Sequence, residues 1–403
     1  MNHPQSFSVG FGFDLRFTED VFAPENDALL EVLRGTTPGK AGTDRPSRCL
    51  VYVDDGCLRG DPSLPARILR WFSLHDPKQV QLAAAPEVVS GGEIAKRDFS
   101  LVERVGRTAF DRGICRHSYI IVVGGGAVLD AVGFAAALIH RGVRCVRIPT
   151  TTLAQCDAGL GVKNGINAYG AKNFFGTFQA PYAIINDARF LHHLDDRSWR
   201  AGAAEAFKVA IIKDRAFLTD LVATAPLIAK RDPPAMRALI QRCALLHLDH
   251  ITQGGDAFER GSSRPLDFGH WSAHRLEVLS QHRLQHGEAV AIGVAIDLFY
   301  AVGIGRLTRD EALPIVDALA ACGFRLWDEC LDLREADGTR TVLAGLTQFR
   351  EHLGGELTLA MPDGLGARRD IHEFDPEVFE RALKALRQSR AAASGVHPAQ
   401  RRA

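Results

Sequence analysis

The segment that most limits the fold is SYIIVVGGGAVLDAVGFAAALIH, at residues 118–140. A β-branched apolar run leads into three glycines and then into small residues, so the chain passes from a buried strand through a tight turn into a helix. Further strands are predicted at 49–53, 79–84 and 143–148, with helical spacing between them. This β-α-β alternation predicts a parallel sheet with crossover helices.

The pattern changes at about residue 195 and becomes helical. A chain of 403 residues exceeds the usual size of a single core, so two domains are expected. The sequence predicts an α/β N-terminal domain at 1–190, an all-α C-terminal domain at 191–390 and a disordered tail at 391–403. Helices of the second domain are predicted at 196–230, 234–251, 287–303, 308–323 and 376–390.

Charge and cysteine usage narrow the class of protein. Lys plus Arg and Asp plus Glu both number 48, so the formal net charge is zero. That balance argues against a nucleic-acid partner or an anionic membrane surface. No apolar run approaches the roughly 20 residues of a membrane span, and the N-terminus does not resemble a signal peptide. The eight cysteines include no CxxC and lie mostly in apolar runs, so we expect a cytoplasmic protein with reduced thiols.

Two short motifs follow predicted strands, where ligands bind in open α/β sheets. Gly124, Gly125 and Gly126 lie between strand and helix, where a phosphate can approach the backbone. The spacing is not G-x-G-x-x-G, so dinucleotide binding and a plain tight turn stay equally open. The hydroxyls of Thr150 and Thr151 suit a sugar or phosphate, although a helix cap is the simpler interpretation.

Three helical segments carry polar residues that suit a metal. Glu205 stands one turn from Lys208 in an apolar helix, either as a buried charge or as a solvated pair. His270 lies in LDFGHWSAH, and His286 begins another apolar helix. One Glu and two His from three helices match a catalytic zinc site with an open position for substrate oxygens. HxxxH, formed by His270 and His274, is by itself more typical of ordinary histidines.

Between the domains, CDAGLGVKNGINAYGAKNFFGTF predicts a long structured loop. Its lysines, Lys163 and Lys172, suit an anionic substrate.

The motifs GGGAVLD, RIPTTTLAQCDAGLGVKNGIN, KNFFGTF, AAEAFKVAIIKD, LDFGHWSAH and HGEAVAIG occur in the order and spacing of the dehydroquinate synthase superfamily. The chain resembles that family over roughly residues 50–390. The resemblance implies an NAD-binding α/β domain, an all-α metal-binding domain and a homodimer that acts on a small sugar phosphate. It also implies a redox-neutral cycle, in which NAD oxidises an alcohol, phosphate is eliminated, the hydride returns and an aldol reaction closes the ring.

The resemblance also implies individual roles. It implies Zn²⁺ ligands at Glu205, His270 and His286, with Co²⁺ as the alternative metal. Implied NAD contacts are Asp54, Glu93, Lys96, Gly124, Gly125, Gly126, Asp130, Thr150 and Thr151. Implied catalytic or substrate contacts are Asp157, Lys163, Lys172, Asn173, Lys208, Arg264, Asp267 and His274, with His274 contacting phosphate. Arg141 is expected to reach the neighbouring subunit's active site.

Departures from the family pattern bear on the substrate. Dehydroquinate synthases have an Asn at the position of Asp267, an Arg four residues before it, and a Lys for the carboxylate near the C-terminus. His352 stands at the approximate position of that Lys, and we predict it as a substrate contact. Here Arg264 lies three residues before Asp267. An added anion and a lost cation both disfavour a substrate carboxylate.

DFGH with FREHLGGEL resembles the sedoheptulose 7-phosphate cyclases, which make valiolone-type cyclitols. The 2-epi-5-epi-valiolone synthases tend to have proline where His274 stands. The motifs resemble most closely the cyclase of bacterial EBO gene clusters. We therefore expect a C7 ketose phosphate substrate, with 3-dehydroquinate synthase and a metal-dependent polyol dehydrogenase as alternatives.

Overall fold

The structure is a computed structural model that describes residues 2–35, 46–258, 264–352 and 355–393, without the side chains of residues 351, 352, 392 and 393. The chain divides into two compact units, Met1–Leu194 and Asp195–Ala403. Each unit has its own arrangement of secondary structure.

The first unit contains a seven-stranded parallel sheet in the order β1-β9-β6-β5-β2-β3, with β4 beside β2. Its central strands are buried on both faces because helices cover both, which explains their continuous apolar sequence. The strands of the unit are β1 (Asp14–Thr18), β2 (Ser47–Asp54), β3 (Val80–Leu82), β4 (Glu87–Val89), β5 (Tyr119–Gly124), β6 (Arg144–Pro149), β7 (Lys163–Ala168), β8 (Ala171–Phe178) and β9 (Ala183–Asp187).

Helices on the two faces of this sheet build two apolar clusters. The first cluster includes residues of α1 and α3, and the second includes residues of α4 and α5. The helices of the unit are α1 (Ala28–Leu33), α2 (Asp55–Gly60), α3 (Leu64–Ser73), α4 (Ser100–Asp111) and α5 (Gly126–Leu138). The predicted alternation of strands and helices is therefore confirmed, while β1 and α1 were not predicted.

The predicted loop at 156–178 is wrong in its secondary structure, because β7 and β8 form an antiparallel hairpin within the first unit. Gly165 lies opposite Gly176, and a Cβ on either would come within 2.8 Å of a backbone oxygen of the other strand. The turn residues Tyr169 and Gly170 both have positive φ, as tight hairpin turns require. Glycine and asparagine here serve close strand approach and turn geometry, although their composition is typical of a loop.

The second unit is built mainly from helices, which are α6 (Asp196–Lys213), α7 (Arg215–Ala229), α8 (Pro233–Gln253), α9 (His270–Leu279), α10 (His286–Gly303), α11 (Arg309–Ala321), α12 (Ala344–His352) and α13 (Pro376–Ala393). By length and composition α10 is apolar enough to cross a membrane, but 78% of that window is buried inside the protein, as in a core helix.

Three details of the second unit correct the prediction. The helix predicted at 196–230 is two helices, separated at Asp214, whose carboxylate accepts a hydrogen bond from the Phe217 N–H at 3.0 Å and caps the second one. The unit is not all-α, since β10 (Leu359–Pro362) pairs with β11 (Arg368–Ile371); two four-residue strands leave little periodic signal. Finally, α13 continues to Ala393, so the predicted tail is helical at 391–393, and 394–403 lie outside the described residues.

Candidate functional site

Glu205 and Lys208 lie on α6, which is buried along most of its length. The Lys208 ammonium lies 2.5 Å from Glu205 Oε2, and the two side chains are 1% and 0% exposed. The alternative of a solvated surface pair is therefore wrong. Burial opposes the charge on Glu205, but Lys208 and two neighbouring histidines outweigh it and hold the pKa of this carboxyl well below its usual range.

Those histidines are His270, the first residue of α9, and His286, the first residue of α10. Their Nε2 atoms lie 3.9 and 3.4 Å from Glu205 Oε1. One ligand atom from each of the three residues lies within 4.8 Å of the other two. The structure thus brings the three predicted metal ligands together from three different helices.

The second nitrogen of each ring has its own partner. His270 Nδ1 lies 3.2 Å from the Phe268 carbonyl oxygen, and His286 Nδ1 lies 2.6 Å from Glu277 Oε1. With Nδ1–H donating to these oxygens, both Nε2 lone pairs face Glu205, as in metal-ligating histidines. Although burial opposes it, the carboxylates of Glu205 and Glu277 raise the pKa of His286 to about 10, so a bound cation would displace a proton here.

A divalent metal fits this site. Glu205 Oε1 is buried and has no well-formed hydrogen bond among the described residues, although buried oxygens normally have one. One carboxylate and two imidazoles are the donor set of catalytic zinc sites that keep a coordination position open.

Glu277 was missed by the sequence analysis, although a signal exists. It follows His270 by seven residues, which places both on one face of α9. Its side chain is 5% exposed and orients the His286 ring.

We expect Glu277→Gln to weaken Zn²⁺ binding by roughly 10- to 100-fold, because the ring loses its carboxylate acceptor. Competition with a chromogenic chelator measures the affinity. Glu311→Gln is the control, since Glu311 binds Thr308 at the start of α11. Equal zinc affinities of the two variants would contradict this role of Glu277.

A second missed carboxylate is Asp297, within α10. It accepts hydrogen bonds from the Gly269 N–H at 3.1 Å and from Trp271 Nε1 at 3.0 Å, on either side of His270. Burial raises its pKa to about 7. A Cβ at Gly293 would lie 2.0 Å from the Gly269 oxygen, so the start of α9 packs directly on the α10 backbone. An Asp inside such an apolar helix is the sequence signal for this support.

The other predicted residues of this unit surround the triad unequally. The ring of His274 lies 5.3 Å from that of His270 and 5.9 Å from that of His286, measured between centroids, but it is not among the converging ligand atoms. Asp267 ends a 3-10 turn that begins at Pro265, directly after Arg264. The predicted contact His352 lies outside the described side chains.

In the first unit, the predicted cofactor residues gather where neighbouring strands end. Strand β2 ends at Asp54, β5 at Gly124 and β6 at Pro149, with β5 in the middle. The chain leaves β2 towards β3 and leaves β5 towards β6, so the topological switch point that binds ligands in such sheets lies between β2 and β5. Asp54 Oδ2 accepts a hydrogen bond from the Gly125 N–H across this point at 3.2 Å.

The threonines after β6 contribute differently. Thr151 Oγ1 accepts the Ala154 N–H at 3.1 Å, so the cap interpretation holds for this residue. The Thr150 hydroxyl oxygen accepts a hydrogen bond from the Cys57 thiol at 3.5 Å. The backbone N–H of Thr150 donates to the Gly124 carbonyl oxygen at 3.0 Å.

Beside this edge, Lys96 is 5% exposed and donates to Asp130 Oδ2 at 2.5 Å and to the side-chain oxygen of Asn173 on β8. Burial raises the pKa of Asp130, against the pull of Lys96. Glu93 accepts the side-chain amide of Asn167 on β7 at 2.9 Å. Two predicted cofactor residues, Glu93 and Lys96, are therefore hydrogen-bonded directly to the hairpin.

The cations of this unit that are predicted to contact the substrate are exposed, unlike Lys96. Lys163 and Lys172 lie on the exposed side of the hairpin, and Asp157 is half-buried in the helical turn before it. Arg141 is exposed in a turn with positive φ after α5, and its role towards a neighbouring subunit stays a prediction.

A buried arginine, Arg147 on β6, was also missed. It is 1% exposed, and its guanidinium donates to four uncharged oxygens. These are the carbonyls of Gly159, Gly161 and Lys163 and the side-chain oxygen of Asn164, at 2.6–3.2 Å.

Comparison with known proteins gives a consistent result. The family model described as 3-dehydroquinate synthase N-terminal matches residues 87–201, and the C-terminal one matches 202–340. A 2-epi-5-epi-valiolone synthase from Streptomyces glaucescens is 32% identical over 74% of this chain and 76% of its own. A 3-dehydroquinate synthase from Aeropyrum pernix is 35% identical over 77% of this chain and 82% of its own.

A solved structure shares the fold over most of the chain. The 2-epi-5-epi-valiolone synthase ValA from Streptomyces hygroscopicus subsp. jinggangensis, with NAD⁺ and Zn²⁺ bound, superposes with a TM-score of 0.82 at 27% identity, covering 96% of this chain and 99% of that one.

Proposed function

The chain belongs to the 3-dehydroquinate synthase family of sugar phosphate cyclases, and we propose that it converts a C7 ketose phosphate, sedoheptulose 7-phosphate, to a valiolone-type cyclitol. The observation that carries the choice of substrate is the position of Asp267. Its negative charge is close enough to act on both His270 and His274. An anion beside the metal site disfavours a substrate carboxylate, which sedoheptulose 7-phosphate lacks.

We propose Zn²⁺ and NAD as cofactors, as found in ValA. Glu205, His270 and His286 would hold the metal, and the edge from Asp54 to Thr151 would hold the nucleotide. When bound, zinc supplies Lewis acidity towards substrate oxygens, and NAD supplies a hydride acceptor that is regenerated within each turnover.

The chain's own residues perform binding, orientation and charge stabilisation. Phosphate leaves as an anion, and Lys163, Lys172 and Asn173 offer cationic and amide donors for it. Lys208 is held beside the triad by its ion pair with Glu205, which fixes the position of this cation. His274, exposed beside the triad, is a further donor for phosphate.

Two substrates offered side by side test the proposal. The zinc- and NAD-loaded chain receives sedoheptulose 7-phosphate or the shikimate-pathway heptulosonate phosphate, and phosphate release is followed. We expect release from the former, with a cyclic product by NMR and no accumulation of NADH. Release only from the carboxylate-bearing substrate would overturn the choice.

The variant Asp267→Asn sharpens this comparison. It removes the anion and restores the residue of the dehydroquinate synthase pattern. We expect it to move the ratio of kcat/KM for the two substrates towards the heptulosonate. An unchanged ratio would remove Asp267 as a determinant.

The 35% identity with a 3-dehydroquinate synthase keeps that activity as the second candidate. A polyol dehydrogenase would instead accumulate NADH without releasing phosphate. The exposed lysines of the hairpin argue against it, because a neutral polyol requires no cations.

The NAD assignment predicts a glycine-specific effect. A methyl group at Gly125 would meet no atom closer than 3.5 Å, and the φ of −75° suits alanine, so Gly125→Ala should fold normally. It should nevertheless weaken NAD binding about tenfold or more, because the pyrophosphate approaches this backbone closely. Gly106→Ala in α4, with open space around it, is the control. Calorimetric titration with NAD measures both variants, and equal affinities would contradict the assignment.

We further propose that the protein is a cytoplasmic homodimer. The eight cysteines all lie among the described residues and form no disulfide there, which supports a reducing compartment. Arg141 is exposed and therefore accessible for the proposed contact with a second copy.

A further inference from the structure

Asn167 on β7 connects two sets of residues to which different ligands are assigned. Its Nδ2 donates to Glu93 Oε2 at 2.9 Å, in the turn assigned to the cofactor. Its Oδ1 accepts the backbone N–H of Asn173 at 2.9 Å, in the strand assigned to the substrate. The Asn167 side-chain amide therefore holds Glu93 through its nitrogen and Asn173 through its oxygen.

A β-bulge creates this arrangement. Between the pairs Ile166–Phe175 and Ala168–Ala171, β7 has one residue and β8 has three. Bulges disrupt the ladder and redirect side chains near functional sites. Asn173 has a φ of 53°, a conformation that asparagine tolerates better than most residues, and its N–H bonds a side chain. Its own side-chain oxygen then accepts from Lys96.

The bulge thus closes a ring of hydrogen bonds between the turn at 92–96 and the hairpin. Glu93 is bound through Asn167, Lys96 is bound through Asn173, and Asn167 binds Asn173. Aromatic packing lies beside this ring of hydrogen bonds. The ring centroids of Phe99, three residues after the turn, and of Phe175 on β8 are 5.1 Å apart. The turn cannot shift without moving the strand that carries Lys172.

We propose that Asn167 is a positioning residue that couples NAD binding at the turn 92–96 to sugar phosphate binding at the hairpin, an inference that rests on the proposed function. A nucleotide that binds the turn holds Glu93 in one position, which holds Asn167 and hence Asn173. The second ligand then meets a hairpin that is already ordered, so the coupling is positive. By linkage each ligand tightens the other by the same factor.

The coupling is measured with NADH in place of NAD. Because NADH cannot accept a hydride, sedoheptulose 7-phosphate is not consumed, and the ternary complex is stable. Titration of the zinc-loaded full chain, followed by NADH fluorescence, gives the NADH Kd with and without saturating sugar phosphate. We expect the sugar phosphate to tighten NADH binding roughly tenfold.

In Asn167→Ala this factor should fall to within about twofold of unity, with the thermal midpoint little changed. Asn167→Asp keeps the acceptor for the Asn173 N–H but loses the donor to Glu93, so it should uncouple the ligands even if the alanine variant folds poorly. The control is Tyr169→Asn at the hairpin tip, where the ring is 85% exposed and the positive φ suits asparagine. It should retain the full factor.

The outcomes separate this inference from the proposed function. Failure of the wild type to bind NADH or the sugar phosphate would overturn the proposed function. Binding of both ligands without coupling in the wild type, or with the same coupling in both Asn167 variants, would overturn the role of Asn167 and leave the proposed function intact.

Discussion

Replacing His270 with alanine is expected to lower phosphate release by roughly three orders of magnitude, since Lewis-acid stabilisation is worth several kcal/mol and each 1.4 kcal/mol is tenfold. The variant retains Glu205 and His286, whose ligand atoms are 3.4 Å apart, but a third ligand is lost. Two protein ligands hold zinc less well than three in a fixed geometry. Bound zinc per chain, measured by elemental analysis after dialysis, should fall together with the activity.

The histidine is a cleaner target than the carboxylate. Glu205→Gln would remove the carboxylate that lies 2.5 Å from the fully buried Lys208 ammonium, and breaking a buried ion pair costs about 3–5 kcal/mol of stability. Lost activity in that variant would mix misfolding with metal loss. His372→Ala, at an exposed position where the ring contacts the Leu357 oxygen at 3.1 Å, is the matched control. Equal turnover by wild type and His270→Ala would exclude the metal mechanism.

The triad was predictable because each ligand stands in a short motif, and the motif order fixes which helices carry them. The state of Glu205 and Lys208 was not predictable from their own helix. A pair one turn apart is solvated or buried depending on what packs around it, and here neighbours from other helices close α6 on all sides. Burial of a charged pair is a tertiary property.

Residues that act through others were missed for a related reason. Glu277 and Asp297 each support a ligand from a position that only helix packing brings near it. The hairpin was predicted as a loop because Gly165, Gly176 and the bulge residues have loop-like composition. Their roles depend on a partner strand, and pairing across a bulge leaves no regular alternation in either strand.

Replacing the buried Arg147 is expected to destabilise the first unit. Two of its acceptors, the Gly159 carbonyl and Asn164 Oδ1, are buried, at 3.2 and 2.6 Å. In Arg147→Met both would lose a charged donor while still buried, and each unsatisfied acceptor costs about 1–3 kcal/mol. We therefore expect a loss of about 3 kcal/mol in the stability of the first unit. Hydrogen exchange of the β6 and β7 amides measures it locally, because a chain of two units need not unfold in one step.

A control on the same strand separates burial from charge. Arg144 donates to the Tyr119 hydroxyl at 2.9 Å and is only partly buried, so Arg144→Met should cost about 1 kcal/mol. Equal losses of stability in Arg147→Met and Arg144→Met would show that the guanidinium hydrogen bonds of Arg147 do not organise residues 159–164.

The consequence of Arg147 reaches the substrate residues. All four of its acceptors lie in residues 159–164, between Asp157 and the body of the hairpin. Arg147→Met should therefore raise KM for the sugar phosphate by loosening Lys163. Arg147→Lys keeps a cation but loses the branched set of guanidinium donors, so its KM should lie between those of the wild type and Arg147→Met. Arg147 thus fixes the backbone that leads into the proposed phosphate contact at Lys163.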